Sequence, residues 1–402
     1  MTTRSSGSRS TVVAPPEAAQ RIALWQLGFR PFYFLASLFA ALSIPLWVLQ
    51  YAGYLPLPYV NGPLWHGYEM LVGYTTAVIA GFLLTAVRTW SGQATPTGMA
   101  LAGLATLWLC GRLMVFVPYP VVATIVNAAF PFAVATAIAI PLLRATNRRN
   151  YFVIALVAAL GVASLLFQLA SRGRIDLPAL LTLQAGLDTV LLLITVIAGR
   201  VIPMFSNNGV PGMKATRNAL LEKLAIGSVV VVLLADLLQP PPLFLAVLAG
   251  VAAAIHAARL MLWQPWRTLT TPLVWILHVA YAWVVAYLLL RGLAACGLVP
   301  FSLALHGLTI GVIGSVTIGM MARTSLGHTG RPLKTGWLEP VCFLLVQGAA
   351  IARVAGGLLS NDGGLYVASV IAAGVCWSAA FALFVFGYGP IWLRPRLDGK
   401  PG

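Results

Sequence analysis

The chain has 402 residues, of which 60% are hydrophobic and only 8% charged, and its formal net charge is +16. A soluble globular protein of this length could not keep so apolar a chain in water, so the composition excludes the soluble folds. The basic residues lie in small groups between apolar runs. This distribution is typical of membrane-protein loops, not of a nucleic-acid-binding surface, and we expect no nucleic-acid partner.

The first 30 residues are polar and rich in Ser, Thr and Pro, without the apolar core of a signal peptide. They predict a disordered cytoplasmic tail over residues 1–30. Residues 394–402 carry charges again and predict a second cytoplasmic tail. The stretch between them, 31–393, is predicted to form a single transmembrane domain in the lipid bilayer.

Apolar runs of the length that crosses a membrane, about 20 residues, occur twelve times in this stretch. The predicted fold is therefore an all-α, polytopic membrane protein with about twelve transmembrane helices. The predicted spans are 32–50, 65–87, 98–117, 121–143, 151–170, 178–204, 218–238, 242–263, 271–291, 299–322, 336–358 and 365–391.

The distribution of Lys and Arg predicts the orientation of these spans. With twelve spans, all but five of the 25 basic residues fall on the side that holds both termini. Basic residues are concentrated in cytoplasmic loops, so both termini are predicted to be cytoplasmic. The five exceptions are Arg112, Arg172, Arg174, Arg291 and Arg353.

Ionisable side chains inside a membrane span are costly, and each is a candidate functional residue. Histidine dominates this set, with only two acids well inside the spans. By depth, His66 and His306 form an outer pair and His256 and His278 an inner pair, while His328 lies in the predicted loop SLGHTGRP. Histidines with few carboxylates favour haem iron, copper or zinc over magnesium or calcium. A histidine hydrogen-bonded within a helix interface is the alternative for each position.

The two acids are Glu69, in the stretch LWHGYEML, and Asp188, in LQAGLDTVLL. Glu69 follows His66 by three residues and shares its helix face. It could fix the imidazole tautomer, act directly as a metal or proton-relay group, or only neutralise the histidine. Asp188 is either protonated, paired with an arginine such as Arg112 or Arg353, or part of a proton path. The sequence does not choose between these.

Spans 2, 6 and 10 end alike, each with an arginine followed by polar, Gly-rich residues: Arg88, Arg200 and Arg323. A His–Gly pair also lies at the start of spans 2 and 10. The period of four suggests a three-fold pseudo-repeat with spans 2, 6 and 10 at its centre. At the exit of span 6, Pro203 is expected to bend or end the helix.

Several segments together resemble the NnrS family of bacterial membrane proteins. They are LGFRPFYFLA (27–36), WHGYEMLVGYTTAVIAGFLLTA (65–86), AGRVIPMFSNN (198–208), PLVWILHVAYAW (272–283) and LHGLTIGVIGSVTIGMMARTSLGHTGRPL (305–333). The resemblance implies an inner-membrane protein that contains haem, expected to be b-type, and copper, and that is linked to the response to nitric oxide and to denitrification.

The same resemblance places the motif histidines on His66, His278, His306 and His328, the candidate metal ligands. Two of these four are expected to bind haem and others copper. Where the family's WHxHE motif has a second histidine, this chain has Tyr68. The candidate cofactor-binding residues are His66, His306, Glu69, Tyr68 and Arg323.

The leading functional hypothesis is a haem- and copper-binding protein that protects against or processes nitric oxide. Its electron donor, if it has one, is unidentified, and the sequence does not establish whether it is an enzyme. The alternative is a proton-coupled secondary transporter for a metal or small anion that uses the histidines and Asp188. A third hypothesis is a passive assembly subunit.

Overall fold

The computed structural model describes residues 23–51, 54, 62–359 and 363–400. In these ranges the chain forms twelve long helices, four short 3-10 helices and no strand. The helices are α1 (Phe29–Tyr51), α2 (Gly62–Ser91), α3 (Gly98–Leu113), α4 (Pro120–Arg144), α5 (Tyr151–Ala170), α6 (Ala179–Gly209), α7 (Ala219–Leu238), α8 (Pro242–Leu262), α9 (Pro272–Ala295), α10 (Phe301–His328), α11 (Leu338–Leu359) and α12 (Gly363–Leu393).

Ten of these helices, within the described ranges, are long and apolar enough to cross a membrane. The all-α polytopic membrane fold is thus confirmed. The other two, α3 and α7, coincide with predicted spans, but α3 has only 16 residues. Glu222, Lys223 and Asp236 leave α7 without a sufficiently uncharged stretch. The count of twelve spans and the cytoplasmic placement of both termini therefore stay predictions.

The packing of the helices repeats with a period of four. The pairs α12–α1, α4–α5 and α8–α9 are each in close contact. Since consecutive helices also contact each other and α12 contacts α1, the helices form a closed ring. Within this ring α2 contacts both α6 and α10. The arrangement agrees with the pseudo-repeat suggested by the arginine-ended spans. We call the end of the bundle where α1 begins the near end, and the end where α1 finishes the far end.

Arg30 joins the first and last helices at the near end. Its buried guanidinium donates hydrogen bonds to the carbonyl oxygens of Trp392, at 2.9 Å, and Arg394, at 2.7 Å. A cation at a helix C-terminus satisfies the last carbonyls and opposes the negative end of the helix dipole. Arg30 belongs to the predicted disordered tail, and here the structure differs. Residues 1–22 of that tail lie outside the described residues.

Two helix boundaries extend beyond the prediction. α6 continues past Pro203 to Gly209, so this proline does not end the helix, and the bend expected there stays a prediction. Proline has no backbone N–H, so Pro203 removes one hydrogen-bond donor from the helix backbone. One turn later the Ser206 hydroxyl adds a side-chain hydrogen bond to the Ile202 carbonyl, at 2.7 Å. α10 continues to His328, which is helical and not in a loop. The chain turns away at Gly330, whose φ of +72° is accessible to glycine.

A buried ion pair holds α7 and α8 against α6. Glu222 of α7 accepts hydrogen bonds from Arg259 of α8, with Arg259 Nε 3.0 Å from Glu222 Oε1. Arg259 also donates to the carbonyl oxygen of Thr195 on α6, at 3.0 Å. The guanidinium lies against Gly199, where a Cβ atom would overlap it. A residue without a side chain is therefore required at this point of α6.

Replacing Gly199 with alanine is expected to lower the free energy of unfolding by about 1–3 kcal/mol, because the added methyl group displaces the ion pair. Gly227→Ala on α7 is the matched control, since no atom lies within 4 Å of its Cβ position. In a helix that substitution should be neutral or stabilise by up to about 1 kcal/mol. Thermal unfolding of the two purified variants in detergent measures the difference, and equal destabilisation would contradict the packing described.

Candidate functional site

The structure brings the two predicted outer histidines to the same place at the far end. His66 lies in the first turns of α2 and His306 in those of α10. Both imidazoles are within electrostatic range of Arg353 on α11, and His306 is also within range of His66. Three helices that are distant in sequence thus contribute to one group, which we call the histidine pair site (His66, His306 and Arg353).

The ring nitrogens at this site are available for a ligand. His306 donates from Nδ1 to the Ser302 carbonyl at 2.6 Å, and this bond leaves Nε2 as the lone-pair donor. His66 Nδ1 is buried without a hydrogen-bond partner, and the ring packs on Trp47 at 4.8 Å between centroids. The chemistry of this donor set, two neutral imidazoles, suits a transition metal.

Arg353 adds an incompletely paired cation to the site. The residue is buried, and its Nη2 atom donates to the Tyr366 hydroxyl at 3.0 Å. Its Nη1 atom is buried and has no hydrogen-bond partner among the described residues. A buried guanidinium without a carboxylate partner is costly. The site therefore favours a ligand that combines a metal with an anionic group.

A π-helical turn follows each histidine of the pair. It covers Glu69–Thr75 in α2 and Gly307–Gly314 in α10. Turns of this kind are rare, and within α-helices they occur frequently at functional sites. Their occurrence at matching places in α2 and α10 also supports the pseudo-repeat.

Glu69 is the first residue of the π-helical turn in α2, and its side chain contacts α3, not His66. Its Oε2 accepts a hydrogen bond from Arg112 Nη1 at 2.5 Å, and Arg112 also donates to Asn127 of α4. Gly73 makes room for this pair, because a Cβ there would lie 2.5 Å from the Arg112 guanidinium. The ion pair therefore gives Glu69 a structural role. No contact between Glu69 and His66 is seen among the described residues, so the structure does not support the predicted role of Glu69 in fixing the His66 imidazole.

Tyr68 faces α5 and takes part in packing there. Its hydroxyl lies 2.7 Å from Ser164 Oγ, and its ring stacks on Phe167 at 4.5 Å between centroids. Residues two apart on a helix do not share a face, so Tyr68 and His66 are directed to different neighbours. Position 68 thus lies on the α5 side of the helix.

The remaining candidate residues lie apart from the histidine pair site. His278 on α9 hydrogen-bonds the Val274 carbonyl, at 3.1 Å, and lies 3.3 Å from the Trp263 carbonyl oxygen. His328 is at the near end, where its ring lies 5.9 Å from that of Phe29. Arg323, also toward the near end, stacks on Phe205 at 3.9 Å from the ring centroid. Over the described ranges, no three His, Cys, Asp or Glu side chains are gathered for a metal.

The sequence did not predict the contacts of the two remaining ionisable groups, His256 and Asp188. His256 Nδ1 lies 2.7 Å from the Tyr281 hydroxyl, which also accepts a hydrogen bond from Arg259 at 2.8 Å. Asp188 is beside Asp236 and Gln184, and its charge interacts with Arg291, not with Arg112 or Arg353. Asp236 and Arg291 fall near the ends of their predicted spans. Their opposite charges at similar depth were the signal that could have paired them.

Two comparisons with known proteins bear on this arrangement. A family model described as NnrS protein matches residues 23–396, which is nearly the whole chain. A search of curated proteins found no match. The family match covers both histidines of the pair site and Arg353.

Replacing Glu69 with glutamine is expected to destabilise the protein by about 3–5 kcal/mol, because Arg112 then stays buried without a counter-charge. Glu69→Gln combined with Arg112→Gln should cost less than the sum of the two single substitutions, since the double variant leaves no unpaired charge. Thermal unfolding of the four proteins in detergent measures this coupling. Strictly additive losses would show that the two side chains do not act as a pair.

Proposed function

Because this chain belongs to the NnrS family, we propose that it is a haem- and copper-containing protein of the bacterial inner membrane that acts in the response to nitric oxide. Family membership supports the association with that response. The observation that carries the cofactor proposal is the histidine pair site, where two half-buried imidazoles with available nitrogens lie within electrostatic range of an incompletely paired guanidinium.

His66 and His306 would be the residues that hold the iron of a b-type haem. The bond from His306 Nδ1 to Ser302 fixes the tautomer and makes Nε2 a better donor, and Trp47 holds the His66 ring in place. Arg353 supplies positive charge for the haem carboxylates, to which a guanidinium can donate two parallel hydrogen bonds. In this proposal the two imidazoles and the Arg353 guanidinium each have a role in holding the haem.

A bound haem would supply the chemistry, since haem iron binds small diatomic ligands such as nitric oxide, which here would replace one of the two histidines. The protein's contribution is one histidine on α2, one on α10 and the buried guanidinium of Arg353 on α11. Protection then follows from binding or converting nitric oxide in denitrification and nitrosative stress. Conversion further requires an electron donor, whose identity is open.

Copper is the second cofactor of the proposal, and its candidate ligands lie apart from the histidine pair site. The candidates are His278 and His328, and in this structure each is surrounded by groups of its own. The part of the chain that the structure describes gathers no three-ligand set around either of them. The donors in place do not fit a complete copper site, and no step of the proposed function depends on copper.

The proposal predicts that wild-type protein from haem-replete cells is coloured, contains haem by pyridine haemochrome assay, and changes its absorption spectrum on addition of nitric oxide. His66→Ala and His306→Ala should each lose most of the haem, because each removes one of the two imidazoles that would hold it. His328→Gln, at the opposite end of α10, is the matched control and should keep it. A colourless, metal-free wild type, or wild-type haem content in both alanine variants, would overturn the assignment.

A further inference from the structure

Five buried side chains from α6, α7 and α9 form a polar cluster toward the far end. Each is at most 8% exposed. They are Gln184, Asp188, Asp236, Tyr287 and Arg291. The Gln184 amide is at the centre, because its Nε2 lies 2.8 Å from Asp188 Oδ1, 3.4 Å from Asp236 Oδ2 and 3.2 Å from the Tyr287 hydroxyl.

The charges of this cluster do not balance when both acids are ionised. Arg291 donates directly to Asp236 Oδ1, and its guanidinium also lies over the Phe301 ring, 4.9 Å from the centroid. One guanidinium thus faces two carboxyl groups, and Asp188 has no cation bound to it. An unpaired carboxylate at this depth is strongly unfavourable.

The hydrogen bonds show a second deficit at the same place. Asp188 Oδ2 and Gln184 Oε1 are both buried, and in the part of the chain that the structure describes neither has a hydrogen-bond donor. Both atoms are acceptors, and they belong to side chains already joined through their other polar atoms. A single proton on Asp188 Oδ2 would turn one of these acceptors into a donor. The neighbouring Asp236 carboxylate is its available partner.

We propose that the Asp188–Asp236 pair is a proton-binding site, in which one proton is held on Asp188 and Asp236 stays ionised against Arg291. One proton removes both the surplus negative charge and the missing donor. A metal cation fits less well, because the Arg291 guanidinium already occupies Asp236 and would repel it. The inference does not rest on the haem proposal, since none of the five side chains belongs to the histidine pair site.

The position of the cluster indicates the route of proton exchange. Asp236 and Arg291 lie within the last turn or so of α7 and α9, at the far end. Asp188 lies deeper, roughly 14 Å along α6 from the start of that helix by the rise per residue. Protons therefore reach Asp188 from the far end, past the Asp236–Arg291 pair.

Infrared spectroscopy tests the proposal directly, because a protonated carboxyl group has a C=O band separate from that of a carboxylate. The chain has only nine acidic residues, so single substitutions can be resolved. At neutral pH the wild type should show a protonated-carboxyl band that is lost in Asp188→Asn. Asp398→Asn, which alters an exposed acid at the near end, is the control and should retain it. An unchanged band in Asp188→Asn would overturn the proposal.

Thermal unfolding gives a second, independent readout. The amide introduced by Asp188→Asn resembles a protonated acid, so this variant should unfold near the wild-type temperature. Asp236→Asn leaves Arg291 without its partner and should unfold at a clearly lower temperature. Raising the pH should destabilise the wild type more than Asp188→Asn, since deprotonation creates an unpaired buried carboxylate. Equal destabilisation by both substitutions, including failure of Asp188→Asn to fold, counts against the proposal.

Discussion

Neutralisation of buried charge determines which helices of this bundle meet. Between helices in a membrane, lipid is as apolar as the side chains, so hydrophobic burial alone does not select partners. The buried ion pairs supply that selection. Glu69–Arg112 joins α2 to α3, Glu222–Arg259 joins α7 to α8, and Asp236–Arg291 joins α7 to α9. Close packing follows these pairs, as Gly73 and Gly199 show by leaving space for two of the guanidinium groups.

Much of the architecture could be predicted from the sequence, because apolar runs of membrane-spanning length have a single common outcome. All twelve predicted spans coincide with helices, and helix rise alone placed His66 and His306 at similar depth. The rarity of ionisable residues in those runs also marked Glu69 and Asp188 correctly as buried groups. These inferences needed only local composition and a regular helix.

The contacts of those residues could not be predicted, because they depend on departures from a regular helix and on distant segments. Glu69 begins a π-helical turn and pairs with Arg112, 43 residues away, not with His66. Asp236 and Arg291 lie near span ends, where a charge ordinarily indicates a loop. His328 is helical because α10 ends only after it, and the chain turns away two residues later at Gly330.

The contact of Arg30 with the C-terminal end of α12 bears on biosynthesis. The carbonyl oxygens that it binds belong to residues translated more than 360 positions later. Until the ribosome has produced α12, this guanidinium lacks those acceptors and α1 lacks one of its neighbours. The ring of helices therefore closes only after nearly complete translation, and a nascent chain truncated before α12 exposes both the arginine and the open side of α1 to lipid.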